Sequence, residues 1–167
     1  MIRWLWLTAL LGCQAPDECH VYGDQESVAV PEHLNAILTV DQAFSSAERD
    51  AIWAAAAVWN DVTDGRASPM LFTGNSSSDW SIDGVLKIDR CPKCAGLTSL
   101  GPHRIELSAS RISDISMLYA VTLHELGHFF GLGHSSDPEL LMYGCYVGND
   151  KITAGDVAVF DAIYQGN

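Results

Sequence analysis

The chain has 167 residues, of which 48% are hydrophobic and 18% charged, and its net charge is −12 at pH 7. This composition is typical of one globular domain with its own core, and it excludes an intrinsically disordered protein. Since 21 acidic residues face only 9 basic ones, no basic surface is expected for nucleic acid or anionic lipid. The acidity promotes solubility outside a cell or favours basic peptide substrates. A monomer is expected.

The N-terminus has the features of an export signal. Arg3 precedes an eight-residue stretch, 4–11, that is apolar except for one threonine and too short to span a bilayer. It ends in Leu-Leu-Gly-Cys13, which resembles the bacterial lipobox, whose cysteine becomes the lipidated first residue. We therefore predict a signal peptide at 1–12, a lipidated N-terminus and tether at 13–32, and the functional domain at 33–167.

This assignment predicts a destination in the cell envelope. Gln14, rather than aspartate, follows Cys13, so we expect an outer-membrane lipoprotein that touches the membrane through its N-terminal lipid only. Cleavage after Ala15 and soluble secretion is the alternative.

The five cysteines agree with export. If Cys13 carries lipid, an even set remains, and in an oxidising compartment this favours two disulfides: Cys19, Cys91, Cys94 and Cys145. The C-x-x-C of Cys91 and Cys94 would also fit a redox pair or half of a zinc knuckle. However, the chain has no second C-x-x-C and no thioredoxin-like βαβ pattern.

The elements follow from periodicity and capping residues. Short β-rich runs predict strands at 36–40, 70–73, 85–88, 97–100 and 104–107. Helical spacing predicts helices at about 45–62, 113–131 and 154–164, the first capped by Ser45 or Ser46. The polar run 74–81 predicts a surface loop. The order predicts an α+β fold with a mixed sheet.

The strongest chemical signal lies on the second predicted helix. His124, Glu125 and His128 form H-E-x-x-H, and four residues make slightly more than one helical turn, so both imidazoles project from one face. Neutral imidazole is a good zinc ligand. Glu125 is placed to act as general base toward a metal-bound water.

The motif continues to Gly131 and His134 as H-E-x-x-H-x-x-G-x-x-H. The glycine allows the left-handed turn that ends the helix and brings His134 back to the metal. Three histidine ligands leave one position for water, which is typical of a catalytic rather than a structural zinc site.

The run HELGHFFGLGHSSDPELLMYG resembles the active site of the matrixins, the matrix metalloproteinase group of the metzincin peptidases. Ser135 follows the third histidine as it does there, and Met142 matches the Met-turn methionine that lies beneath the zinc. The closing ITAGDVAVFDAIYQG is similar to the family's last helix, with Asp156 matching an acid that anchors the Met-turn region.

This resemblance implies a mostly parallel twisted sheet with a helix packed on it, an active-site helix ending at a glycine turn, a Met-turn and a C-terminal helix. It also implies a zinc endopeptidase with peptide or protein substrates. The chain departs from the family in the short loop before the active-site helix, which has no His/Asp set matching the family's structural zinc and calcium sites, so we expect one Zn²⁺ and do not predict calcium. The alternatives are an inactive zinc-fold lipoprotein that acts in binding, and a zinc hydrolase acting on something other than peptides.

By the same resemblance, an extended peptide pairs with the sheet edge formed by Gly96, Leu97, Thr98 and Ser99. The alternative for this edge is a buried or covered strand. Tyr146 matches a tyrosine of the specificity-pocket wall, and Gly144 stands where the family has proline.

The resemblance further implies that the segments around Cys145 and Cys91 flank one cleft. We therefore expect Cys145 to be bonded to Cys91 or Cys94, and the remaining cysteine of that pair to Cys19. The alternative is a local Cys91–Cys94 bridge with Cys145 free.

Overall fold

The structure, a computed structural model, describes residues 24–74, 80–99 and 103–165. The predicted signal peptide, Cys13 and Cys19 lie outside these residues, and their assignments stay predictions. Within the described ranges, no helix is long and apolar enough to cross a membrane.

Five strands, three α-helices and one 3₁₀ turn make up the described chain. In sequence order they are a 3₁₀ turn (Pro31–His33), β1 (Ile37–Asp41), α1 (Ser46–Val62), β2 (Met70–Gly74), β3 (Trp80–Val85), β4 (Gly96–Ser99), β5 (Arg104–Ser108), α2 (Ile115–Phe129) and α3 (Ala154–Tyr164). The strands form one sheet in the order β2-β1-β3-β5-β4. All neighbouring pairs are parallel except β4 and β5. The predicted α+β class and mostly parallel sheet are confirmed.

Helix α1 begins at a capping box and packs on the helix that carries the metal motif. Ser45 accepts a hydrogen bond from the Glu48 amide, and the Glu48 carboxylate accepts one from the Ser45 amide. The buried face of α1 consists mostly of alanines, which permit a close approach to α2. At the centre of that interface, the indole N–H of Trp59 donates to the Leu123 carbonyl of α2 at 2.9 Å. The two helices are therefore fixed to each other by packing and by a buried hydrogen bond.

The predicted strand at 85–88 is wrong, because the strand in this region is β3 and ends at Val85. The predicted surface loop extends too far for the same reason, since Trp80 and Ser81 already belong to β3. Trp80 and Ile82 point into the core, whereas Leu86 is 79% exposed. The alternation that defines β3 starts inside a run rich in serine, which concealed it.

A second, small apolar cluster covers β4 on the sheet face opposite α2. It consists of Ile88, Cys94 and Leu97, with Cys91 packed against it. Cys91 and Cys94 are disulfide-bonded across a tight turn, in which the Cys94 amide donates to the Cys91 carbonyl at 3.0 Å and the Cα atoms are 5.4 Å apart.

The predicted bridge from Cys145 to this pair is therefore wrong, and neither cysteine of the pair remains for Cys19. A four-residue turn brings Cys91 and Cys94 together more readily than any distant partner can reach them. Cys145 is itself disulfide-bonded, so the alternative of a local bridge is correct for the pair but wrong in leaving Cys145 free.

Candidate metal centre

Helix α2 brings His124, Glu125 and His128 into the interior. The helix begins at Asp114, whose carboxylate accepts a hydrogen bond from the Met117 amide at 2.9 Å. From Met117 to Phe129 nearly every residue is buried, so the helix is enclosed by the sheet, by α1 and by the loop that follows it. Side chains on such a helix have little freedom to move.

The turn that ends α2 depends on Gly131. Its φ of +90° is left-handed, as the motif predicts, and its amide donates to the His128 carbonyl at 2.9 Å. A Cβ at this position would overlap the Val28 carbonyl oxygen. Gly131 is therefore required both for its backbone conformation and for the close approach of another segment.

The turn brings the third histidine to the other two. One ring nitrogen from each of His124, His128 and His134 lies within 4.8 Å of the others, and the Nε2 atoms of His128 and His134 are 3.0 Å apart. Two ligands of a tetrahedral zinc ion at about 2.1 Å would be roughly 3.4 Å apart. The Nε2 atom of His124 is buried and has no hydrogen-bond partner among the described residues. A nitrogen in that situation fits a metal ligand, so the donor set suits Zn²⁺.

Backbone carbonyls orient two of these rings. The Nδ1 atom of His124 lies 2.8 Å from the Leu141 carbonyl oxygen, and Nδ1 of His128 lies 2.7 Å from the Leu132 carbonyl oxygen. A carbonyl only accepts, so each Nδ1 carries the proton and each Nε2 keeps its lone pair. The tautomer that ligates zinc through Nε2 is thus set by the surrounding backbone.

Burial keeps the three imidazoles neutral. It lowers the pKa of His124 to about 4 and the pKa of His134 to about 3. Burial, followed by repulsion from the other two rings, also lowers the pKa of His128 well below its usual value. At neutral pH all three are in the form that binds a metal ion.

The segment around Met142 packs against α2 and is held by Asp156. Met142 is buried against Gly127, where a Cβ would overlap its sulfur atom. The carboxylate of Asp156, at the start of α3, accepts hydrogen bonds from the Leu141 and Met142 amides, both at 3.1 Å. Because the Leu141 carbonyl orients His124, Asp156 acts on a candidate ligand through one intervening residue.

The candidate general base is enclosed by strand β4. Glu125 is 0% exposed, and the hydroxyl of Thr98 lies 2.7 Å from its Oε2 atom. Sequence reasoning placed Thr98 on the substrate edge and missed this contact. The alternation of β4 puts Thr98 on the inner face of the sheet, but only the packing of α2 on β4 shows what it meets.

The structure places the remaining predicted residues as follows. Strand β4 lies at one edge of the sheet, and all four of its residues are buried. Gly144 lies beside His134, since a Cβ there would be 3.4 Å from the imidazole Cγ. Tyr146 is half-buried and packs against the main core.

Part of the predicted tether is built onto the loop of the third histidine. The Gln25 amide donates to the His134 carbonyl and the Val28 amide to the Gly131 carbonyl, each at 2.8 Å. The Gly133 amide donates in return to the Ser27 hydroxyl at 2.8 Å. The amide and hydroxyl of Ser136 also donate to Oδ1 of Asp24, at 2.7 and 2.8 Å. Residues 24–28, here called the N-terminal strap, thus hold the loop by five hydrogen bonds.

Part of the chain is similar in sequence to known metalloproteinases. Human matrilysin is 44% identical over 54 residues, which cover 30% of this chain and 20% of matrilysin. Mouse interstitial collagenase B is 41% identical over 54 residues, or 30% of this chain and 11% of the collagenase. The Arabidopsis thaliana metalloendoproteinase 5-MMP is 32% identical over 59 residues, 34% of this chain and 16% of that protein. The matches thus span a fifth or less of each relative. Residues 41–165 match the family model described as Matrixin, and the chain therefore belongs to the matrixin family.

Proposed function

We propose that this chain is a zinc-dependent endopeptidase. The observation that carries the proposal is the convergence of three neutral imidazoles, with the buried Glu125 carboxylate on the same helix as two of them. His124, His128 and His134 would hold the ion, which when bound supplies a Lewis acid for the peptide carbonyl and lowers the pKa of water. Glu125 takes the proton of the attacking water and returns it to the nitrogen of the departing amine.

The proposed substrate is an extended peptide that pairs with β4. This strand lies at the sheet edge beside α2, and main-chain pairing at such an edge recognises a peptide backbone without requiring a particular sequence. Gly144 and Tyr146 are proposed to form part of the wall next to His134, and Gly144 supplies no side chain to that wall. We therefore propose that the site hydrolyses peptide bonds rather than bonds of another class of substrate.

The test uses the purified chain with casein as substrate. Wild type should bind zinc and cleave casein, and a chelator should abolish cleavage. Glu125→Gln should keep its zinc and lose at least about 10²-fold in rate, since a general base contributes roughly 10²–10⁴. His134→Ala should lose zinc in elemental analysis. Glu139→Gln, which changes an exposed acid on the loop beyond the site, is the matched control and should behave as wild type.

Two results would contradict the proposal. Near-normal activity of Glu125→Gln would remove the general base from the mechanism. A wild-type protein that binds zinc but cleaves no peptide would instead support the alternative, a zinc-fold protein that acts in binding.

We propose further that the protein is exported and held at a membrane by lipid on Cys13. The support is the sequence of residues 1–14 alone. In a bacterial host, Cys13→Ser should move the protein from the detergent phase to the soluble phase. An intact mass showing a free N-terminus at any other residue would contradict lipidation at Cys13.

A further inference from the structure

Strand β4 forms a wall against Glu125 through two residues on its inner face. Gly96 and Thr98 lie opposite Leu107 and Ile105 of the antiparallel neighbour β5, so both face α2. A Cβ at Gly96 would lie 2.6 Å from both Cγ and Oε1 of Glu125. The carboxylate therefore occupies space that any other residue at position 96 would fill.

Thr98 touches the same carboxylate through its hydroxyl. The side chain is 1% exposed, and its Oγ1 atom lies 2.7 Å from Oε2 of Glu125 and 2.9 Å from the Glu125 carbonyl oxygen. A hydroxyl has one proton, and both neighbours accept. The contact with the carboxylate is the shorter of the two, which favours the carboxylate oxygen as the acceptor.

These contacts restrict how the carboxylate can rotate. Gly96 leaves room for Oε1 on one side, and the Thr98 hydroxyl holds Oε2 on the other. Without the hydroxyl the carboxylate could turn about its last torsion, which has a broad energy profile. Small displacements of a proton-transferring group are costly, since an error of about 1 Å can reduce a rate on the order of 10²-fold.

We infer that Thr98 is a positioning residue that fixes the orientation of the Glu125 carboxylate for proton transfer. The inference rests on the proposed function, since it presumes that Glu125 transfers the proton. It assigns to β4 a second role besides the proposed pairing with substrate. A purely structural role, in which Thr98 only satisfies the Glu125 carbonyl, predicts different behaviour in two substitutions.

Thr98→Val keeps the shape and removes the hydroxyl, whereas Thr98→Ser keeps the hydroxyl and removes a methyl group. For the zinc-loaded enzyme on a peptide substrate, Thr98→Val should lose on the order of 10- to 100-fold in kcat with KM changed by less than about twofold. Thr98→Ser should stay within a few-fold of wild type in both constants. Zinc content should be equal in all three proteins.

A second measurement does not depend on activity. In the zinc-free protein, Thr98→Val should lower the folding equilibrium constant on the order of tenfold, because a buried side-chain hydrogen bond is lost and its partner atoms on Glu125 stay buried. The same substitution in a Glu125→Ala background should cost much less, since only the bond to the backbone carbonyl remains. Urea denaturation of the four proteins gives this double-mutant cycle.

The outcomes separate this inference from the proposed function. Failure of zinc-loaded wild type to cleave any peptide would overturn the function. Cleavage by wild type and Thr98→Val with equal kcat would overturn the inference alone. A Thr98→Ser enzyme as slow as Thr98→Val, or a cycle without coupling to Glu125, would also overturn it in favour of packing.

Discussion

Replacement of Asp156 by asparagine should weaken both the fold and the metal site. The Asp156 carboxylate is 1% exposed and accepts four hydrogen bonds. Its Oδ1 atom accepts from the Met142 amide, and Oδ2 accepts from the Leu141 amide and from the amide and hydroxyl of Thr153. In asparagine one of these oxygens becomes an NH₂ group, which cannot accept.

The magnitude follows from the bonds that are lost. Even if the NH₂ group replaces Oδ1, the Met142 amide is left buried without its acceptor, at a cost of about 1–3 kcal/mol. The other three bonds lose their charged acceptor, which roughly halves their strength. We expect the free energy of unfolding to fall by about 3 kcal/mol, a large part of the roughly 5–15 kcal/mol typical of a domain.

Zinc affinity should fall as well. The Leu141 amide is held by Asp156 and the Leu141 carbonyl orients His124, so a shift of Leu141 changes the direction of a ligand nitrogen. Loss of such support costs roughly 10–100-fold in metal affinity. Urea denaturation of the zinc-free protein measures the first effect separately, and a competition titration with a chromophoric chelator measures the second.

Asp161→Asn on the same helix is the matched control. Asp161 is paired with Arg66 at 2.5 Å, and both side chains are about a third exposed. An ion pair of this kind contributes about 0–1 kcal/mol, and it does not contact the Met-turn segment. If Asp156→Asn had the wild-type urea midpoint and zinc affinity, the chain of contacts from α3 to His124 would not support the site.

Two further substitutions test the turn and the core. Gly131→Ala should destabilise the protein by more than about 1–2 kcal/mol and lower its melting temperature, because alanine disfavours φ +90° and its Cβ would overlap the Val28 carbonyl; an unchanged melting temperature would contradict this. His33, stacked on Phe129, has a pKa lowered mainly by burial. Its neutral form therefore contributes stability above the unfolded-state pKa near 6.5, and this contribution is lost as pH falls through the lower folded-state pKa. Between pH 7.5 and 5, the free energy of unfolding measured by urea titration should fall less steeply for His33→Gln than for wild type. The difference in slope should be at most roughly 1.4 kcal/mol per pH unit. If the free energy of unfolding had the same dependence on pH in both proteins, His33 would not contribute to that dependence.

The metal motif was predictable because it is local. The spacing of His124 and His128 places both on one helix face, and Gly131 was expected in the left-handed region where the structure has it. Helix α1 was equally clear, since Ser45, one of its two predicted caps, is the N-cap. In each case the determining contacts lie within about one helical turn or one tight turn of the chain.

The parts that were missed depend on distant neighbours. Strand β3 begins at Trp80 because β1 and β5 pair with it on either side, and no signal within the polar run shows that pairing. The contact between Thr98 and Glu125 joins residues 27 positions apart. The disulfide prediction was wrong for the opposite reason. The resemblance suggested a long bridge from Cys145, whereas Cys91 and Cys94 form a local one across four residues.

The ligands differ in how they are held, and this should govern how a metal ion enters and leaves. His124 and His128 belong to a buried helix, whose opening requires nearly the whole domain to unfold. His134 lies on a loop that the N-terminal strap holds by hydrogen bonds. Local detachment of the strap would free one ligand while two stay in place. The strap should therefore set the rate at which the ion exchanges. Helix α2 should keep His124 and His128 in position after the ion has left.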